Sequence, residues 1–166
     1  MGHLVEEVRE WNTPLIGSYL LWRFTQGYCA NHSTGDAPVG LLHFIAMAIF
    51  TSPKLIGPIS NHRDSLQSYL RYFEKEKSSD LLLTVHERTQ EKKQHTLASI
   101  EVAVATGLLF WDSETGKLYP RDQAKARRGN NLKASVVSDG DKAETLGKWF
   151  SAHDLQSVAN YLKVIL

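Results

Sequence analysis

Apolar residues crowd the helical period between positions 14 and 24: Leu15, Tyr19 and Trp22 form one stripe, and Ile16, Leu20 and Phe24 form another. Asn12 and Thr13 each suit a helix N-cap. Pro14 suits the first turn, where its missing N–H is an orphan in any case, so the pattern predicts a helix starting here and stopping near Gly27. Only Ser18, Arg23, Thr25 and Gln26 interrupt its apolar surface. Such a helix needs cover on at least two sides, either from the core alone or from the core and a partner protein together. In the second case Trp11, Asn12, Pro14, Trp22, Arg23 and Phe24 are the candidate anchors, since aromatics and arginine dominate interface energetics.

A polar, turn-rich loop over residues 30–37 precedes a second helix, with Asp36 as its expected cap, running from Pro38 to Phe50 and closed by Thr51-Ser52-Pro53. Apolar nearly all round, it is the expected centre of the core, with His43 a hydrogen-bonded core histidine. Residues 54–61, with Gly57 and Pro58, read as an irregular connection. Leu66, Tyr69, Leu70 and Phe73 then recur at helical spacing, backed by a solvated face of mixed charge from Arg71 to Lys77. Ser79 or Asp80 opens a further helix through Val85 and His86. After a tight turn, another runs from about Thr96 to a left-handed stop at Gly107.

The period then shortens. Residues 108–111 and 117–120, separated by a turn over Asp112 to Gly116, predict a β-hairpin. Beyond it lies a basic tract that Gly129-Asn130-Asn131 should keep mobile. Asp139 is the expected cap of a helix carrying Leu146, Trp149 and Phe150, Asp154 opens a last short helix, and residues 163–166 could form a strand. The fold class is therefore mainly α: one helical domain over 1–166, with a winged-helix-like part at about 80–120 and the basic tract at about 121–137.

With 166 residues and 42% hydrophobic content the chain is long enough to bury a substantial core. Its 19 basic and 18 acidic residues nearly cancel, leaving +1, so attraction to nucleic acid or membrane must come from local patches. A single cysteine, Cys29, excludes an internal disulfide framework and fits a reducing compartment, with the cytoplasm as the default. The start of the chain lacks the basic and apolar runs of a signal peptide, and the longest apolar stretch, Val39 to Phe50, is too short to span a bilayer.

Chemistry-bearing patterns break off wherever they begin. Gly116-Lys117-Leu118 and Gly147-Lys148-Trp149 lack the remainder of a phosphate-binding loop. His86-Glu87 opens like a zinc protease helix, but Gln90 stands where the second imidazole is required, and Asp139-Gly140-Asp141 lacks the later ligands of a calcium loop. Cys29 with His32 would need contact and an electropositive pocket to act as a nucleophile pair. No catalytic residue, metal or cofactor is expected.

Helix, helix, hairpin is the order of a winged helix-turn-helix, yet residues 96–106 present Ser99, Glu101 and Thr106 in place of the donors a duplex groove demands. That helix is better suited to packing inside, or against another protein. Phosphate contact, if any, falls to Arg121, Lys125, Arg127, Arg128 and Lys133, which would give a salt-dependent, sequence-independent grip.

Trp11-Asn12-Thr13-Pro14 with the Leu20 to Phe24 run, Gly107-Leu108-Leu109 leading into the Asp112 to Gly116 hairpin, and the Leu146-Gly147-Lys148-Trp149-Phe150 helix together resemble the small middle component of bacterial three-component ABC systems. That group includes Lamassu-type antiphage and antiplasmid defence. The resemblance implies a non-catalytic adaptor beside an SMC- or Rad50-like ABC ATPase and an effector, commonly a nuclease, in a complex that senses foreign DNA. It leaves open whether this chain touches double-stranded DNA, and it carries over no catalytic position. The rival from another class is a free-standing winged-helix DNA-binding regulator.

Overall fold

A computed structural model describes residues 13–121 and 133–166. Helix α1 spans Pro14–Asn31, with Thr13 as its cap and Pro14 in its first turn; the Ile16 N–H donates to Thr13 Oγ1 at 3.4 Å. It does not stop at Gly27. That glycine serves close approach: a Cβ there would fall 2.1 Å from the Glu144 carbonyl oxygen on helix α7, Ala134–Ser151. Gly147 returns the favour, since its Cβ would meet the Phe24 carbonyl oxygen at 2.1 Å. Gly140 faces the Tyr19 ring, and because the contact passes from Tyr19–Gly140 to Tyr28–Gly147, α1 and α7 run parallel. On another side of α1, Gly17 receives Ser99 of helix α6, Lys93–Ala105. The two-sided cover that the doubled stripe demands is thus supplied from within the chain.

Helix α2, Gly40–Phe50, is buried along almost its whole length. It begins two residues later than predicted and without a side-chain cap, because Asp36 is engaged elsewhere: its carboxylate accepts from Lys117 Nζ at 2.6 Å and from the Ala37 N–H at 2.8 Å. His43 sits in the core, with Nε2 2.9 Å from Thr25 Oγ1 and Nδ1 3.3 Å from the Val39 carbonyl. Phe24 is the hub of that core, meeting His43, Phe50 and Phe150 edge to face.

The connection after α2 carries one short helix, α3, Pro53–Ile56. Helix α4, Leu66–Lys75, is capped by Ser65 and buries Leu66, Tyr69 and Phe73, and the Tyr69 hydroxyl donates to the Leu55 carbonyl at 2.6 Å. Helix α5, Asp80–Glu91, passes to α6 through Lys92 alone. Gly107, at φ +77°, then turns the chain into strand β1, Leu109–Asp112, which pairs antiparallel with β2, Lys117–Pro120. Helix α7 begins at Ala134, so Asp139 lies inside it as a buried residue and not at its cap, the sequence before it being competent to extend the helix. Helix α8, Leu155–Tyr161, is capped by Asp154 as predicted. Residues 163–166 form no strand; Lys163 adopts φ +59° and the Val164 N–H closes the helix end on the Ala159 carbonyl. The described structure is mainly helical with one small hairpin, and no described helix is long and apolar enough to cross a membrane.

Candidate partner-binding surface

The hairpin alternates as a strand pair must. Leu109, Trp111 and Leu118 point to one face, where Leu109 and Leu118 are sealed, and Phe110 stands opposite Tyr119 on the other. The apolar supply exceeds what one face can bury. Phe110 remains 51% exposed and Trp111 43% exposed.

This surface is firmly held. The Gly40 N–H donates to the Gly116 carbonyl at 2.8 Å, the Leu118 N–H to the Pro38 carbonyl at 3.1 Å, and Val39 bridges to Lys117. Residues 38–40 therefore line the outer edge of β2. The Trp111 ring lies over Gly40, where a Cβ would come within 3.1 Å of it, and Lys117 reaches back to Asp36. The Lys117 hydrogen bond holds the Asp36 carboxyl below its ordinary range, and the same bond lifts Lys117. In the turn, Asp112 is held low because its carboxylate accepts from Thr115 Oγ1 at 2.8 Å and from the Glu114 N–H at 3.0 Å. The hairpin is a preformed platform.

The residues expected as anchors on α1 are mostly covered by the chain itself. Trp22 is 6% exposed and Phe24 is fully buried, so in the isolated chain both rings serve core packing and present almost no area to a partner. Pro14 is half-buried at the start of α1. Arg23 is turned toward α7, where its guanidinium donates to Asp141 at 2.9 Å and to Glu144, and it also donates to Tyr19 on its own helix at 3.2 Å. Burial opposes its charge, but the bonds to Glu144, Tyr19 and Asp141 outweigh that and hold it above its ordinary value. Trp11 and Asn12 lie outside the described residues.

Of the basic positions, Arg121 and Lys133 are exposed where the two described segments end, and Lys125, Arg127 and Arg128 lie outside the described residues. Helix α6 turns Thr96, Ser99 and Ala103 inward, toward α1, which is the packed role its donor-poor sequence suits. The residues that reading missed as interface candidates are Phe110 and Trp111. Their signal was available: Leu108-Leu109-Phe110-Trp111 is apolar at consecutive positions, and a strand so written has apolar groups on both faces.

Two further histidines are engaged in turns and helix ends. His32 Nδ1 accepts from the Thr34 and Asp36 N–H groups, both at 3.2 Å, and so orders the loop after α1. His86 Nδ1 accepts from the Ile165 N–H at 3.2 Å. Among the described residues, no group of three or more His, Cys, Asp or Glu is placed to hold a metal ion. No curated protein and no solved structure matches the chain. The family described as ABC-three component (ABC-3C) system Middle Component 3 matches residues 1–166, every position of the sequence, and the chain belongs to that family of middle components.

Proposed function

We propose that this middle component is the non-catalytic adaptor of its system, bridging an SMC- or Rad50-like ABC ATPase and a nuclease effector in a Lamassu-type defence complex that responds to foreign DNA. The observation that carries this reading is the hairpin platform: two large aromatics stand exposed on a rigid element, in a chain whose other tryptophans described, Trp22 and Trp149, are buried. Exposed aromatic area on a rigid support is what an interface needs, because the ordering has already taken place before binding. Leu41, exposed at the α2 N-terminus one residue from the Gly40 against which Trp111 packs, extends the apolar area.

Phosphate contact, in this reading, belongs to the assembled complex and falls to the tract containing Arg121, Lys125, Arg127, Arg128 and Lys133. The test is co-expression with the two neighbouring components followed by size-exclusion chromatography. The chain should co-elute with both. A Phe110→Ser, Trp111→Ser double variant that keeps its helical circular dichroism should lose one of them. A chain that stays apart from the ATPase and the effector overturns the proposal, and tight duplex binding by the isolated chain would favour the regulator instead.

A further inference from the structure

The outer stripe of helix α7 is the floor of a groove. Asp141, Thr145, Lys148 and Ala152 recur three or four residues apart and so lie on one side of the helix and its last turn. The C-terminal end of α1, at Asn31, forms one wall, and the chain over residues 61–67 forms the other. Two solvent-open hollows, of about 380 and 310 Å³, share Asn31 and Lys148 and so join along the stripe. From residue 141 to residue 152 the helical rise gives the groove a length of about 16 Å, the reach of about five residues of extended chain.

The walls carry amides that are held at one end and unspent at the other. Asn31 Nδ2 donates to the Gly27 carbonyl at 2.8 Å, Asn61 Oδ1 accepts from the Thr145 hydroxyl at 2.9 Å, and Gln67 Nε2 donates to the Tyr161 hydroxyl at 3.3 Å. Among the described residues, Asn31 Oδ1, Asn61 Nδ2 and Gln67 Oε1 meet no hydrogen-bond partner, and Lys148 Nζ has neither a hydrogen bond nor an ion pair. Fixed donors and acceptors suit an extended main chain, each residue of which brings one N–H and one carbonyl to be satisfied. Because one internal bond already orients each amide, little side-chain ordering is left to oppose binding.

Charge narrows the occupant. Asp64, Asp141 and Glu144 line the groove against Lys148, and Arg23 engages one oxygen each of Asp141 and Glu144, whose side chains stay at least half exposed. These carboxylates would repel a phosphate backbone. A compact ligand needs an enclosure that an open groove does not give. We infer that the groove docks an extended polypeptide segment of another component of the same system, with a lysine or arginine of that segment over Asp141 and Glu144. The inference rests on the adaptor reading and deepens it, adding a main-chain contact to the aromatic contact of the hairpin.

A photo-crosslinking residue, p-benzoylphenylalanine, placed at Ala152 in the purified three-component complex tests this. Mass spectrometry should find position 152 joined to one segment of a neighbouring component. That segment should contain a lysine or arginine, be cut readily by protease in its own component alone, and be protected in the complex. Asn31→Ala with Asn61→Ala should lower the cross-link yield at least fivefold, whereas Asn160→Ala, an exposed amide on α8 outside the groove, should leave it unchanged. Should the double variant fail to fold, the cross-link and the protection measured with both amides intact still decide. A complex that forms without a cross-link from position 152, or with a yield indifferent to the two amides, overturns the inference and leaves the adaptor reading standing. Cross-links to DNA, to a protease-resistant folded surface or to a second copy of this chain equally overturn it. Failure of any complex to form removes the adaptor reading and this inference with it.

Discussion

Gly147 and Gly27 lie where α1 and α7 meet backbone to backbone, and the neighbour of each missing Cβ is a main-chain carbonyl oxygen that cannot rotate aside. Gly147→Ala is therefore expected to cost about 2–4 kcal/mol, at the upper end of single substitutions, whereas Gly35→Ala, at φ +71° in open space, should cost about 1 kcal/mol. Urea unfolding midpoints would rank them, and equal values would contradict the close packing. Two titrating residues in the same body act in opposite senses. Burial pushes His43 down to about 4, below its unfolded value of 6.5, so the folded state binds fewer protons and stability falls as pH drops through that window. Burial lifts Asp139 to about 6, Lys142 only partly opposing, so the cost of ionising it is relieved as pH falls below 6. Asp139→Asn should accordingly raise stability at pH 7 by about 1 kcal/mol and steepen the acid-side loss between 6 and 4. Unfolding midpoints across that range for both proteins give the answer, and superimposable profiles would refute it.

At the scale of elements, the link between α1 and α7 through Arg23, Asp141 and Glu144 is half in water, and such pairs contribute little beside packing. Arg23→Met should lower stability by no more than about 1 kcal/mol, read as a small midpoint shift that vanishes in high salt. Elements written by local chemistry were legible in advance: the Thr13-Pro14 start of α1, the Leu66 to Phe73 stripe of α4, the Gly107 turn and the Asp154 cap each need only neighbours in sequence. Two of the misreadings share one cause, which is that a distant partner reassigned the residue. Gly27 reads as a stop until Glu144 shows why it must be small. Asp36 reads as a cap until Lys117 claims it; Asp139 is misplaced for a local reason, because the five residues before it extend the helix. Of the candidate interface, the hairpin was legible and its importance was not. The aromatic run at 20–24 looked like surplus surface because α7 and α6, which cover it, come more than sixty residues later.

Taken whole, the molecule closes its core around Phe24 and, among the described residues, leaves its exposed aromatics on one small sheet. If the adaptor reading holds, the assembled complex should bind duplex DNA with an affinity that falls steeply with salt, and Arg127→Ala with Arg128→Ala should reduce the slope by about 2. A slope unchanged by that pair would move the phosphate contacts to another component. The parallel contact of α1 and α7 also has a consequence for how the protein is made. Helix α1 leaves the ribosome long before residues 93–105 and 134–151, its two covers, have been translated. During that interval Phe24 can meet His43 and Phe50 of α2 but not Phe150, and Tyr19 lacks the α7 face at Gly140, so α1 should stay partly uncovered on the nascent chain, and open to aggregation, until residues 134–151 have been made.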